Sequence, residues 1–86
     1  MILKNKNAVI FGGGGAIGGA VARAFAREGA RVFIAGRTQQ KLDAVVADIK
    51  AINGLVETAI VDAFDLNAVK VYTKSIAEKA GSIDIA

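Results

Sequence analysis

Cysteine, histidine, proline and tryptophan are all absent from this 86-residue chain, and tyrosine occurs once. Without cysteine there is no disulfide framework and no thiolate nucleophile. Without cysteine and histidine the usual zinc ligands are also missing, and so is the commonest acid–base side chain. Long apolar runs are lacking too: no stretch approaches the ~20 residues that a membrane-spanning helix needs. Lys4 and Lys6 flank only short apolar segments broken by glycine, unlike a secretory signal. These absences lead us to expect a soluble, cytoplasmic protein with no metal and no membrane partner.

The residues present form a globular composition, 53% apolar and 22% charged, with ten glycines. The length allows one small domain, which buries only about two-thirds of its unfolded surface. The net charge of +3 is unevenly spread. Residues 1–41 carry seven basic side chains against Glu28 alone, whereas residues 42–86 carry four lysines against seven acids. A basic N-terminal half suits a polyanionic ligand. Nucleic acid is disfavoured, because the basic residues are scattered at helical spacing and the phenylalanines follow apolar patterns with no stacking platform between them. Arg23, Arg27 and Lys50 read as a solvated face.

Short apolar runs alternate with longer amphipathic ones. Asn7–Phe11 predicts a buried parallel strand ended by glycines. From Ile17 to about Glu28, the residues Ile17, Ala20, Val21, Ala24 and Phe25 recur at helical spacing, and Gly29 follows as a C-terminal cap. Arg31–Ala35 predicts a second strand. Thr38 can cap a helix whose stripe is Leu42, Val45, Val46, Ile49 and Ile52, ended by Asn53 and Gly54. Leu55–Val61 predicts a third strand. Asp65 can cap a third helix striped by Val69, Tyr72, Ile76 and Ala80, which Gly81 closes; residues 83–86 then begin a fourth strand. The β-α-β-α-β-α-β alternation implies an α/β fold: a parallel sheet of strand order 3-2-1-4 with right-handed crossover helices, the mononucleotide-binding half of a Rossmann fold. A fourth strand that begins without leading into a helix is expected to belong to a larger domain. A chain cut there is expected to be inactive alone and either marginally stable or self-associating.

Residues 12–19 carry six of the ten glycines, and they lie between the first strand and the first helix. Glycine there permits a tight turn and lets backbone approach a pyrophosphate, while the unpartnered N–H groups of the helix start favour an anion. A G-x-G-x-x-G match at Gly13, Gly15 and Gly18 is weak by itself and strong in this strand–turn–helix context. No Lys-Ser or Lys-Thr follows, which excludes a P-loop NTPase.

Phe11-Gly12-x-x-x-Ala16-Ile17-Gly18 resembles the T-G-x-x-x-G-[IL]-G signature of the short-chain dehydrogenases/reductases. The resemblance runs on through Gly19 to Val32, Ala35-Gly36-Arg37-Thr38, Lys41-Leu42, Asp62 and the closing Gly81-Ser82-Ile83-Asp84. Within the family it is similar to 3-oxoacyl-carrier-protein reductases. Phe11 replaces a Thr whose hydroxyl helps fix the turn, and Ala16 replaces a Gly, narrowing the space by one methyl. The resemblance implies that Gly12, Gly14, Gly15, Ala16, Ile17 and Gly18 hold the cofactor pyrophosphate. It also implies that Asp62 and the Ala63 N–H meet the adenine, although a plain strand-end turn would equally explain Asp62.

Members that bind NAD(H) carry an acid at the end of the second strand, where it meets the ribose hydroxyls. Here Gly36 and Arg37 stand there, and a guanidinium can grip a 2′-phosphate with paired charge-assisted bonds. Thr38 can add a hydroxyl and Lys41 a second cation, so NADP(H) is expected over NAD(H). The plainer alternative for Arg37 is an exposed loop charge. The implied reaction is hydride transfer between the nicotinamide and a small carbonyl or alcohol substrate, by a homo-oligomer. The Ser, Tyr and Lys that perform it in the family have no counterpart here: Lys74 lies two residues after Tyr72, where the family has Lys four residues on. Two other readings remain. One is a non-catalytic dinucleotide-binding module. The other is an S-adenosylmethionine methyltransferase, which the missing acid at Gly36 argues against.

Overall fold

The computed structural model describes residues 2–85. Its elements run β1 (Asn7–Phe11), α1 (Ala16–Arg27), β2 (Arg31–Gly36), α2 (Gln39–Ala51), β3 (Leu55–Ile60) and α3 (Leu66–Ala80). The strands form one parallel sheet in the order β1-β2-β3, with Ala8 beside Val32 and Val32 beside Val56.

Strand alternation divides the core into two layers. Ala8, Val32 and Ile34 point to one face, where Ala22 and Ala26 of α1 and Leu42, Val45 and Ile49 of α2 cover them. Val9 and Phe33 point to the other face and pack on Ile76 of α3, with Phe11, Tyr72, Ala80 and Ile83 at the margin. The two crossover helices α1 and α2 therefore lie on one side of the sheet and α3 on the opposite side.

Helix ends follow their capping chemistry, with one exception. Asp65 accepts the Ala68 N–H at 3.0 Å, and Gly81 takes the left-handed C-cap position of α3. Asn53 adopts φ 60° between α2 and β3. Thr38 occupies the N-cap position of α2 in extended geometry, yet its hydroxyl makes no capping bond.

The buried face of α1 differs from the expected stripe. Gly19, Ala22 and Ala26 are its buried positions, while Ile17 is 83% exposed and Ala20 is also exposed. The cause is close packing: a Cβ on Gly19 would lie 3.2 Å from Gly13 O and 3.3 Å from Val45 Cγ2. Small residues bring α1 near the sheet and α2, so its larger apolar residues fall on the flanks. Ile52, expected in the α2 stripe, is half exposed.

In place of the expected fourth strand, the described residues show one isolated bridge. Ile85 forms a parallel bridge to Ala8, with Val9 N–H donating to Ile85 O at 2.8 Å and Ile85 N–H donating to Asn7 O at 3.1 Å. Lys6 and Gly12 bond toward β2, so the alternating edge used by Asn7 and Val9 is the one away from β2. Ala86, the last residue of the expected strand, lies outside the described residues. Asp84 secures this segment by accepting the Asn7 N–H at 2.8 Å, and the Asn7 side-chain amide donates to Ser82 O at 3.1 Å.

Candidate functional site

The loop from Gly12 to Gly15 turns sharply off β1 because its start is stapled to β2. The N–H groups of Gly12 and Gly13 both donate to Ala35 O, at 2.8 and 3.1 Å, and Gly15 N–H donates back to Gly12 O at 3.0 Å. Gly12 has φ 72°, a region open to glycine and costly for other residues. Gly18 lies beneath it, and a Cβ there would sit 2.3 Å from Gly12 O. The first turn of α1 thus presses directly on the loop.

Gly15 is the N-cap of α1 and carries no capping side chain; the helix's first turn holds no acid. The helical ladder begins with Gly19 N–H donating to Gly15 O at 2.8 Å, so the N–H groups of Ala16, Ile17 and Gly18 precede it. α2 likewise starts without an acid in its first turn and with the Thr38 hydroxyl unused. Two positive helix ends thus flank the C-terminal edge of the sheet, as an anion site requires.

Two adjoining clefts open on this edge. The first, about 130 Å³, is lined by Gly12, Gly14, Gly15, Gly36, Arg37, Thr38, Lys41 and Leu42. The second, about 200 Å³, shares Gly12, Gly36 and Arg37 with it and adds Val61, Asp62, Ala63 and Phe64. The structure therefore gathers Gly12, Gly14, Gly15, Arg37 and Thr38 in one cleft and brings Asp62 and Ala63 against the next. Gly18 lies under the loop, and Ala16 and Ile17 stand exposed at the helix start without lining either cleft. Arg37 makes no ion pair among the described residues, whereas Arg23 pairs with Asp48 and Arg31 with Glu57. Asp62 accepts the Phe64 N–H at 2.9 Å through one carboxylate oxygen, which fixes the turn into α3.

Lys41 and Phe64 complete the lining. The first is legible from its spacing one turn after Arg37. Phe64 is an aromatic outside any strand or helix period, and its contribution is visible only once β3 and the loop after β1 are placed side by side. A larger cavity, about 450 Å³, lies at the opposite end of the sheet around Lys4, Asn7, Arg31 and Asn53. It adjoins neither the glycine loop nor a helix N-terminus, and the chemistry described above is absent there.

Tyr72 is not poised for acid–base work. Its ring meets Phe11 edge-on at 6.0 Å, and burial, with the charge of Glu57 adding to it, pushes its hydroxyl up to about 12. Phe11 thus has a packing role on the α3 face in place of a turn-fixing hydroxyl.

A glycine loop feeding a helix N-terminus, at the C-terminal edge of a parallel β-α-β-α-β unit, defines a Rossmann-like nucleotide-binding half. The chain belongs to the short-chain dehydrogenase family, whose sequence model matches residues 6–86. It is 40% identical over 83 residues to the uncharacterized oxidoreductase YxbG of Bacillus subtilis, and the match covers 96% of this chain and 30% of that protein. It is 43% identical over 83 residues to the oxidoreductase asL5 of Sarocladium schorii, covering 96% of this chain and 32% of that protein. Among solved structures, a metagenomic short-chain oxidoreductase in complex with NADP superposes with a TM-score of 0.94 at 30% identity, over 99% of this chain and 38% of that one. The chain therefore spans about a third of the length of the relatives it matches.

Proposed function

We propose that this chain is the cofactor-binding part of an NADP(H)-dependent short-chain dehydrogenase/reductase. The observation that carries the reading is the cleft at the ends of β1 and β2. There Arg37, with no ion pair among the described residues, and the Thr38 hydroxyl, unused for capping, stand beside Gly36, where an NAD(H)-preferring site would hold an acid. The α1 N-terminus and the Gly12–Gly15 backbone would hold the pyrophosphate, and Arg37 and Thr38 would hold the 2′-phosphate. Asp62 and the Ala63 N–H would hold the adenine. The residues fit the group, since Gly18 leaves no room for a side chain beneath the loop. The bound cofactor would supply a hydride for exchange with a carbonyl or alcohol. The NADP complex of the metagenomic relative agrees with this choice. We read the Ile85 bridge as the first rung of a fourth strand, giving the order 3-2-1-4. The acid–base residues would come from sequence beyond these 86 residues, in a homo-oligomeric protein. The finer likeness to 3-oxoacyl-carrier-protein reductases rests on the motif residues alone.

Calorimetric titration of NADPH and NADH tests the assignment. Arg37→Ala should weaken NADPH binding by about 1.5–3 kcal/mol, the scale of a hydrogen bond to a charged group, and leave NADH nearly unchanged. Equal losses for both cofactors would remove Arg37 from the 2′-phosphate.

A further inference from the structure

Phe64 is 89% exposed, more than Ile17 or any other large apolar residue described. Burial in the core therefore does not account for it. It stands in the loop between β3 and α3, and its backbone is firmly held. Its N–H donates to Asp62 Oδ1 at 2.9 Å, and the next N–H, of Asp65, donates to Asp62 O at 3.0 Å. Asp65 in turn caps α3 through the Ala68 N–H. A turn fixed at both ends thus holds an aromatic ring in water, on the rim of the roughly 200 Å³ cleft that Arg37, Asp62 and Ala63 also line.

The order of the strands indicates what enters that cleft. Phosphates belong at the end of β1, where the glycine loop meets α1, and the ribose with its 2′-phosphate belongs at the end of β2. Parallel neighbours lie about 4.8 Å apart, so one further step along the sheet edge carries the nucleotide to the end of β3. The group that follows the ribose in that direction is the base. A flat heteroaromatic ring suits a cleft whose lining includes Phe64 and Arg37, because phenyl rings and guanidinium groups both pack against π faces.

We propose that Phe64 is a base-packing residue, whose ring lies against the purine of the bound dinucleotide in the cleft that it shares with Arg37. The proposal rests on the cofactor reading above and adds to it a residue that recognises the base by stacking. Asp62 then has two tasks. One carboxylate oxygen holds the Phe64 turn, and the other has no hydrogen-bond partner among the described residues and is free to accept from the base.

The test uses the full chain and adenosine 2′,5′-bisphosphate, which carries the base and both phosphates without the nicotinamide. Phe64→Ala should weaken its binding about tenfold, within the range of base–aromatic stacking, with the thermal melt unchanged because the side chain is exposed. Phe64→Trp should keep the affinity within about threefold. Because the chain has no other tryptophan, the indole emission of that variant should be quenched as the bisphosphate binds. Unchanged affinity in Phe64→Ala, or an indole that ignores a ligand still sensitive to Arg37→Ala, overturns the role of Phe64 and leaves the cofactor site standing. A parent chain that does not bind the bisphosphate overturns both.

Discussion

Gly12 and Gly18 constrain the same loop for different physical reasons, and substitution separates them. At Gly12 a Cβ would meet nothing within 4 Å, so the restriction lies in φ 72° alone. Gly12→Ala should cost roughly 1–2 kcal/mol of stability, the penalty of left-handed backbone for an L-residue. At Gly18 the restriction is contact, because a Cβ would lie 2.3 Å from Gly12 O and 2.9 Å from its carbonyl carbon. Backbone cannot swing aside as a side chain does, so Gly18→Val must push the loop away from the helix N-terminus. NADPH binding should fall more than about tenfold in Gly18→Val, about 1.4 kcal/mol or more, in a chain whose circular dichroism still reports helix. Full affinity in that variant would show that the loop and the cofactor do not meet.

At the scale of elements, α3 is fastened to the sheet partly by charge. Glu57 on β3 accepts from Lys79 in the last turn of α3 and from Arg31 on β2 at 2.5 Å. The Lys79 hydrogen bond holds the Glu57 carboxyl below its ordinary value of 4.5, with burial opposing and Arg31 assisting. A carboxyl lowered on folding stabilises the fold above its unfolded value, and that contribution disappears as pH falls through the folded value. Both ion pairs are partly exposed, so screening keeps the effect small. Thermal melts should therefore drop as pH falls below 4.5, and Glu57→Gln should lessen that drop. An identical acid dependence in the variant would mean that Glu57 contributes nothing to holding α3. The elements themselves were largely legible in the sequence. β1 and β2 are short apolar runs bounded by charge and glycine, and Asp65 announces α3 by its side-chain chemistry. The face of α1 was not legible, because apolar periodicity weights Ile17 and Val21 above Gly19 and Ala22, whereas close packing prefers the small ones. Thr38 read two ways, as a helix cap and as a ligand for the 2′-phosphate, because a side chain suited to capping is indistinguishable in sequence from one left open to a ligand. The glycine loop stood out through its place between strand and helix, and Arg37 and Asp62 through the family resemblance. Phe64 did not, because its place at the cleft arises from the pairing of distant strands.

Across the whole molecule the two faces of the sheet are unequal, and stability should divide along that line. One face is sealed by two helices around nine buried residues, among them Val32, Ile34, Leu42 and Ile49. The other rests on Val9, Phe33 and Ile76, with Tyr72, Phe11 and Ile83 only partly covered. Leu66 and Val71 of α3 remain in water, so that helix gives up less apolar surface than its length allows. Hydrophobic stabilisation scales with the area removed from water, and a helix held by one fully buried side chain and a screened ion pair opens more readily than the rest. Native-state hydrogen exchange should then report two levels of protection. Amides of β2 and of α2 near Leu42 and Ile49 should exchange through global unfolding, and those in the middle of α3 at least about tenfold faster, which is about 1.4 kcal/mol. Ile49→Ala should lower every protected amide together, by about 2–5 kcal/mol, because it opens a cavity in the sealed layer. Ile76→Ala should chiefly lower α3. Equal protection throughout, with both variants acting on all amides alike, would show that the sheet and its three helices unfold as one unit despite the unequal burial.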